Sequence, residues 1–250
     1  MLFAIQELEQ TGLVRAIYTT KERHVWRFDG EGGPENFEYL TKELGGGIRP
    51  EDLTRVYQSH TDKVKIVSKK HAGEMVTRPN ETEDCDGMIT DERGLMLCTV
   101  EADCVPVYIL DPVTPAIGMV HSGWRGTAKG IAAKAIKLMK ENYGCDPRNM
   151  MVALGPHICG NCYEVGEELR EDFKGLFEEA EIAGFLTKRD DKKINLDLSS
   201  AIKAAVMQVG VKEQNFFDSC PCTKESDNLC SWRRDNPIRQ SMLTGIMLVK

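Results

Sequence analysis

Ala116-Ile-Gly-Met-Val-His-Ser-Gly-Trp-Arg-Gly126 decides the fold class of this 250-residue chain. It begins as an apolar strand, Ala116 to Val120. It then breaks into a polar turn holding His121, Ser122, Gly123, Trp124, Arg125 and Gly126, and enters a helix at about Thr127. A strand that runs straight into a helix is the unit of an α/β fold. Such a turn is also a common seat of function. The strand fixes its position, glycines admit a close approach of the backbone, and the first helical amides face a bound anion. An imidazole, an indole and a guanidinium share this one. The plainer reading is a corner with a buried Trp and a surface Arg.

Outward from this stretch, Thr127 to Tyr143 reads as an amphipathic helix, with Ile131, Ala135, Leu138 and Met139 on one face and Gly144 at its end. Upstream, strands are expected over Leu13–Thr19, Arg55–Ser59, Lys63–Ser68, Met88–Thr90, Leu95–Val100 and Val105–Leu110. Downstream, a strand is expected over Met150–Leu154, helices over Val165–Ala180 and Leu196–Val209, and strands over Asn215–Ser219 and Met242–Val249. The second of those helices would be capped by Asn195 or Asp197. Asn36 to Leu44 reads as a short helix closed by Gly45-Gly46-Gly47. Those glycines read as a turn, because no Lys-Ser/Thr follows them as a phosphate loop requires. Lys21–Glu35 reads as a charged loop or hairpin, and Lys69–Asp84 as a polar, mobile loop. No internal repeat, low-complexity tract or linker is visible. The expectation is one α/β domain over residues 1–250, a mixed central sheet flanked by helices.

Composition excludes several function classes. The net charge of −7 argues against bulk attraction to nucleic acid or an anionic membrane. No apolar run is long enough for a spanning helix. Met1 to Thr11 carries Glu7 and Glu9 and no basic region, so no signal peptide is visible. Nine cysteines without an export signal point to a reducing, cytoplasmic setting and away from a disulfide framework.

His60, Cys104 and His121 each lie in a polar break beside an apolar strand. Two imidazoles and a thiolate form a good zinc set with a fourth position for water. The alternative is two ordinary histidines and a core cysteine, because the spacings are not local. Cys159-Gly-Asn-Cys162, with Cys220, Cys222 and Cys230 downstream, is compatible with a structural zinc, a redox pair or packed thiols. It matches neither a regular four-cysteine finger nor a thioredoxin turn. Ser231-Trp-Arg-Arg-Asp235 places an arginine pair in a loop, suited to phosphate or carboxylate or simply solvated.

Several stretches occur in a telling order. They are Gln58-Ser-His-Thr61, Asp84-Cys-Asp-Gly-Met-Ile-Thr90, Ala102-Asp-Cys-Val-Pro-Val107, Gly118-Met-Val-His-Ser-Gly-Trp-Arg-Gly126, Leu154-Gly-Pro156, Cys162-Tyr-Glu-Val-Gly166 and Ser231-Trp-Arg-Arg-Asp235. Together they resemble the YfiH-type laccase-domain family, also called the polyphenol oxidase or purine nucleoside phosphorylase YlmD/YfiH family. The resemblance runs from about residue 55 to 235. Three features depart from the family pattern: Thr19 to Glu35 lacks the usual glycine- and serine-rich strand-turn, Glu101 stands where Thr is common, and Ile238-Arg-Gln-Ser-Met-Leu replaces the usual Gly-Arg-Met-Ala.

The resemblance implies an α/β fold similar to bacterial toxin-type cysteine-histidine proteins, with His60, Cys104 and His121 as zinc ligands and catalytic residues. It implies phosphorolysis of adenosine, inosine and S-methyl-5′-thioadenosine, with adenosine deamination as a side activity. Members have also been called copper-dependent laccases, which makes copper the alternative metal and phenol oxidation the rival activity. A Cys-His hydrolase with Cys104 as nucleophile is a third reading. Arg125, beside a helix start at Thr127, and Arg234 are the candidate phosphate ligands. The expected partners are small purine nucleosides and phosphate, with no nucleic acid and no membrane, and a homodimer is compatible with the sequence.

Overall fold

The computed structural model describes residues 1–23, 33–79, 83–189, 193–238 and 240–249. Its strands form two large mixed sheets rather than one. The first is five-stranded, in the order Leu2–Ala4, Val14–Thr19, Met242–Leu248, Met96–Glu101, Leu53–Arg55. The second is six-stranded, in the order Phe216–Phe217, Met151–Leu154, Val105–Asp111, Ala116–Ser122, Gly87–Thr90, Val64–Ile66. Most pairs are antiparallel. Leu53–Arg55, Val64–Ile66 and Phe216–Phe217 pair with their neighbours in parallel.

Side-chain alternation along each strand builds the layers. Leu97, Tyr108, Leu110, Ile117, Met119 and Ile246 meet in the core between the two sheets. Val105, Val107, Ile109 and Val120 point the other way, onto the helices Ile131–Tyr143 and Leu198–Gln208. Met96, Cys98, Leu243 and Met247 face outward under Phe37, Leu40 and Leu44 of the helix Gly33–Leu44. The result is four layers, helix–sheet–sheet–helix. Central strands buried on both faces are mostly apolar on both, Thr99, Glu101 and Thr244 excepted, so the alternation that would separate two sheets in the sequence is missing. This explains why one central sheet was expected.

Further differences are confined to single segments. The helix expected over Thr127–Tyr143 is two, Trp124–Ala128 and Ile131–Tyr143, broken at Gly130 with φ 69°. The helix expected over Val165–Ala180 is replaced by the strand Glu164–Val165 and the helices Leu169–Phe173 and Glu179–Phe185. Glu164–Val165 joins Leu186–Lys188 and Ile194–Leu196 in a small third sheet that the sequence did not suggest. The loop after Ser68 is tied down over its described part: the buried Glu74 takes Lys65 at 3.0 Å and Arg78 at 3.5 Å. Residues 80–82 of that loop, and 24–32 of the earlier one, lie outside the described residues.

Other local readings match. Gly45, Gly46 and Gly47 all take positive φ, as a glycine turn requires. Asp197 caps the helix Leu198–Gln208 by accepting from the Ser200 amide at 3.1 Å.

Candidate active site

The two sheets bring three polar breaks to one place. His121 ends the central strand Ala116–Ser122 and sits opposite Pro106. Cys104 occupies the break between Met96–Glu101 and Val105–Asp111, which belong to different sheets. His60 lies between Leu53–Arg55 and Val64–Ile66, where the chain also crosses from one sheet to the other. A ligand atom from each of the three falls within 4.8 Å of the others. The two imidazoles meet edge to face at 4.9 Å between centroids. Cys104 Sγ lies 3.9 Å from His60 Nε2.

Asp86 holds this arrangement, a residue the sequence reading does not name as part of the site. Its carboxylate is fully buried. Oδ1 accepts from the His60 amide at 3.0 Å and meets His121 Nδ1 at 2.7 Å. Oδ2 accepts from the Thr61 amide at 2.6 Å and the Thr61 hydroxyl at 2.7 Å. These bonds stabilise a left-handed backbone at His60, φ 62°, which a non-glycine residue adopts at a cost. They also commit Nδ1 of His121 to Asp86 and leave Nε2 for the cluster, the carboxylate–histidine pattern of metal sites. The signal available in the sequence was a carboxylate placed immediately before Gly87 at the start of a buried strand.

Asp103, beside Cys104, has φ 85° and is held in a similar way. Its carboxylate takes the Thr223 hydroxyl and the Arg233 amide, each at 2.6 Å. Strain on both sides of the cluster is balanced by charge-assisted bonds from distant segments.

The electrostatics favour a thiolate beside an imidazolium. Burial would raise the Cys104 thiol, but His121 and then His60 hold it well below its ordinary value. Burial would lower His121, but the Cys104 thiolate and the Asp86 carboxylate hold it well above. Glu101 lies behind His121, and burial pushes its carboxyl up to about 7. One of its oxygens accepts from Thr244 Oγ1 at 2.7 Å, while the other is buried with no partner.

The donor set fits a metal. An added Cβ at Gly123 would lie 2.9 Å from His60 Cδ2 and 3.0 Å from Cys104 Sγ, so glycine keeps the cradle between them open. Two imidazoles and a readily ionised thiolate suit zinc, and imidazole also suits copper.

The arginines divide differently from expectation. Arg125 is exposed and stacks on Trp124, its guanidinium carbon 4.2 Å from the ring centre. Arg234 faces away from such a role. Its guanidinium donates to the carbonyls of Thr223, Ser226 and Leu229 and to both oxygens of Asp235. It is occupied in holding a loop, which removes it as a phosphate ligand. Arg233 is the pair member that reaches the cluster's side of the molecule, 5.1 Å over the ring of Tyr163. The Tyr163 hydroxyl is pushed up to about 12, by burial first and then by the Cys104 charge, with Arg233 and Arg125 opposing. The Arg233 amide bonds to Asp103, next to Cys104, at 2.6 Å, and the Arg233 guanidinium donates to the Glu164 carbonyl at 2.8 Å. Thr127 does not start a helix: its amide bonds to the Gly123 carbonyl at 2.9 Å, and its buried hydroxyl meets Ser122 at 2.8 Å.

Comparison with known proteins identifies the family. The family model described as multi-copper polyphenol oxidoreductase laccase matches residues 30–249. The purine nucleoside phosphorylase SCO2081 of Streptomyces coelicolor is 34% identical over 202 residues, covering 80% of this chain and 76% of that protein. The adenosine deaminase RL5, from an unknown prokaryotic organism, is 29% identical over 210 residues, 83% of this chain and 79% of that protein. The purine nucleoside phosphorylase LACC1 of Mus musculus is 30% identical over 185 residues, 74% of this chain, which spans only 39% of that longer relative. The crystal structure of the hypothetical protein YfiH of Bacillus licheniformis superposes with a TM-score of 0.88 at 26% identity, covering 99% of this chain and 96% of that one. With its match across residues 30–249 and the shared YfiH fold, this chain belongs to the multi-copper polyphenol oxidoreductase laccase family, the YfiH/YlmD type.

Proposed function

We propose that the chain is a zinc-dependent purine nucleoside phosphorylase acting on adenosine, inosine and S-methyl-5′-thioadenosine, with adenosine deamination as a side activity. One observation carries the reading: His60, Cys104 and His121 converge around the opening that Gly123 leaves, with Arg125 two residues beyond it and the Arg233 amide on Asp103 next to Cys104. Phosphorolysis needs an anion held against the anomeric carbon while positive charge develops on the sugar. Arg125, and Arg233 with the donors left beyond its bond to the Glu164 carbonyl, would grip the phosphate, each stacked on an aromatic ring. Bound zinc would supply a Lewis acid and, for deamination, activation of water.

The chain's own residues do the positioning. Asp86 keeps the His121 proton on Nδ1, so that Nε2 remains a ligand, and it anchors His60 through the backbone. Negative charge at Cys104 suits both a zinc ligand and an electrostatic partner for a cationic sugar. The relatives' names support nucleoside chemistry. Nine free cysteines suit a cytoplasmic setting. Among the described residues no helix is long and apolar enough to cross a membrane.

The test is release of free base and sugar 1-phosphate from adenosine with inorganic phosphate, by protein of measured zinc content. Fully zinc-loaded protein that releases no base would overturn the proposal. A second reading, a Cys-His hydrolase, is favoured by the thiolate–imidazolium pair. Activity that survives complete metal removal and is abolished by alkylation of Cys104 would favour it. A copper polyphenol oxidase is the third, suggested by the family's description. Phenol oxidation that rises with copper loading would favour that one, although five histidines are few for a multicopper centre.

A further inference from the structure

A second group of metal-binding side chains lies outside the centre just described. Cys159, Cys162, Cys222 and Glu225 each offer a ligand atom, and these atoms all lie within 4.8 Å of one another. They come from two loops, the first as Cys-x-x-Cys and the second as Cys-x-x-Glu. Two ligand pairs at three-residue spacing, one pair on each of two facing turns, is how a closed tetrahedral site is built.

The turns are shaped for this before any ion arrives. The amides of Cys162 and Tyr163 both bond to the Cys159 carbonyl, at 3.0 and 3.1 Å, closing the first turn. Gly160 lets that turn press against Asp197, where an added Cβ would lie 2.9 Å from the Asp197 Cβ. The Ser226 amide bonds to the Cys222 carbonyl at 3.1 Å, closing the second. The loops are joined by a bridge between His157 and Cys222 and by the Thr223 amide bonding to the His157 carbonyl at 2.9 Å.

Polar contacts also knit the four side chains together. The Cys159 amide donates to Cys222 Sγ at 3.3 Å. The Cys162 thiol donates to the Glu225 carboxylate at 3.3 Å. Three sulfurs and a carboxylate gathered so closely call for a cation at their centre.

We infer that Cys159, Cys162, Cys222 and Glu225 form a structural zinc site that staples the 157–164 loop to the 220–226 loop. Zinc fits better than a hard cation because three of four ligands are thiolates. A zinc–sulfur bond of about 2.3 Å gives a sulfur–sulfur edge of about 3.8 Å, so the cluster needs to contract by about 1 Å or less. A disulfide between two of these cysteines would leave a third thiol beside an unbalanced carboxylate. The staple would also brace the other centre. Thr223, next to Cys222, bonds to Asp103 beside Cys104, and Tyr163, next to Cys162, lies under Arg233.

The test uses the full untagged chain purified from zinc-containing medium, with zinc measured per chain. A His60→Ala/His121→Ala variant should retain one zinc equivalent, and adding Cys159→Ser/Cys222→Ser to it should remove that equivalent. The first comparison is independent of the proposed activity and of whether the other centre holds a metal. Should the cysteine variants fail to fold, peptide-resolved alkylation of the wild-type protein gives a second measurement. A strong chelator should speed alkylation of Cys159, Cys162 and Cys222 by about tenfold or more, since release of zinc frees the thiolates. A zinc-free His60→Ala/His121→Ala protein, alkylation rates at these cysteines indifferent to chelator, or a disulfide among them would each overturn the inference.

Discussion

Replacing Asp86 by Asn keeps the shape of the side chain and removes one acceptor oxygen and the charge. If the amide nitrogen takes the place of Oδ2, the Thr61 amide loses its bond of 2.6 Å, while the Thr61 hydroxyl can turn to accept. If it takes the place of Oδ1, the His60 amide loses its bond of 3.0 Å, while His121 Nδ1 keeps its contact only by becoming the acceptor. Either way one buried backbone donor is left unmet. At about 1–3 kcal/mol for an unmet group, the expected loss of stability is about 2 kcal/mol. For a chain of this size that lowers Tm by about 6 °C.

The second orientation has a chemical consequence. An amide N–H facing His121 Nδ1 forces that nitrogen to accept, which moves the ring proton to Nε2 and removes a metal ligand. Metal affinity should then fall about 10–100-fold, the usual effect of removing a carboxylate behind a ligating histidine. Differential scanning calorimetry and zinc competition against a chromophoric chelator measure the two effects separately. A variant with unchanged Tm and zinc affinity would refute the role given to Asp86, and unchanged affinity with a lowered Tm would confine it to the His60 turn.

Other expectations follow from single contacts. Gly123→Ala has an ordinary backbone conformation, φ −75°, so the chain should fold with Tm near that of the wild type, yet the new methyl blocks the cradle between His60 and Cys104. Zinc titration should show a loss of about tenfold or more in affinity, and full affinity would show that the cradle is not the metal position. Cys104→Ser should give folded protein depleted of zinc at this centre and without base release, because a hydroxyl stays protonated near pH 7; phosphorolysis at the wild-type rate would remove Cys104 from the centre. Arg125→Lys should raise KM for phosphate and leave Tm alone, whereas Arg234→Lys should lower Tm and leave KM for phosphate alone, since Arg234 holds loop carbonyls. Glu101 has its carboxyl raised from 4.5 to about 7, so the folded state binds the extra proton. Its contribution is complete below pH 4.5 and is lost as pH rises through about 7, a change of about 3 kcal/mol. Denaturant melts of Glu101→Gln across that window should show a flatter pH profile than wild type; an identical profile would place the titration elsewhere.

The residue types of the site were legible in the sequence. His60, Cys104 and His121 each stand in a polar interruption of an apolar strand, and the Ser-Gly-Trp-Arg turn after His121 announces itself by its own composition. Local devices were legible too, among them the Gly45–Gly47 turn and the Asp197 cap, because their bonds close within a few residues. What the sequence could not carry was decided by contacts between distant segments. His60 and Cys104 are 44 positions apart, and Asp86 and His121 are 35 apart. No periodicity encodes such a distance; it is set by strand order in two sheets whose central strands are mostly apolar on both faces. The exchange of roles between Arg233 and Arg234 has the same origin. Neighbours in the chain, they point in different directions from one short helical turn, Trp232–Asp235. Only the folded loops determined their partners: Arg234 is enclosed by the carbonyls of Thr223, Ser226 and Leu229, while Arg233 donates to the Glu164 carbonyl at 2.8 Å and lies over the ring of Tyr163.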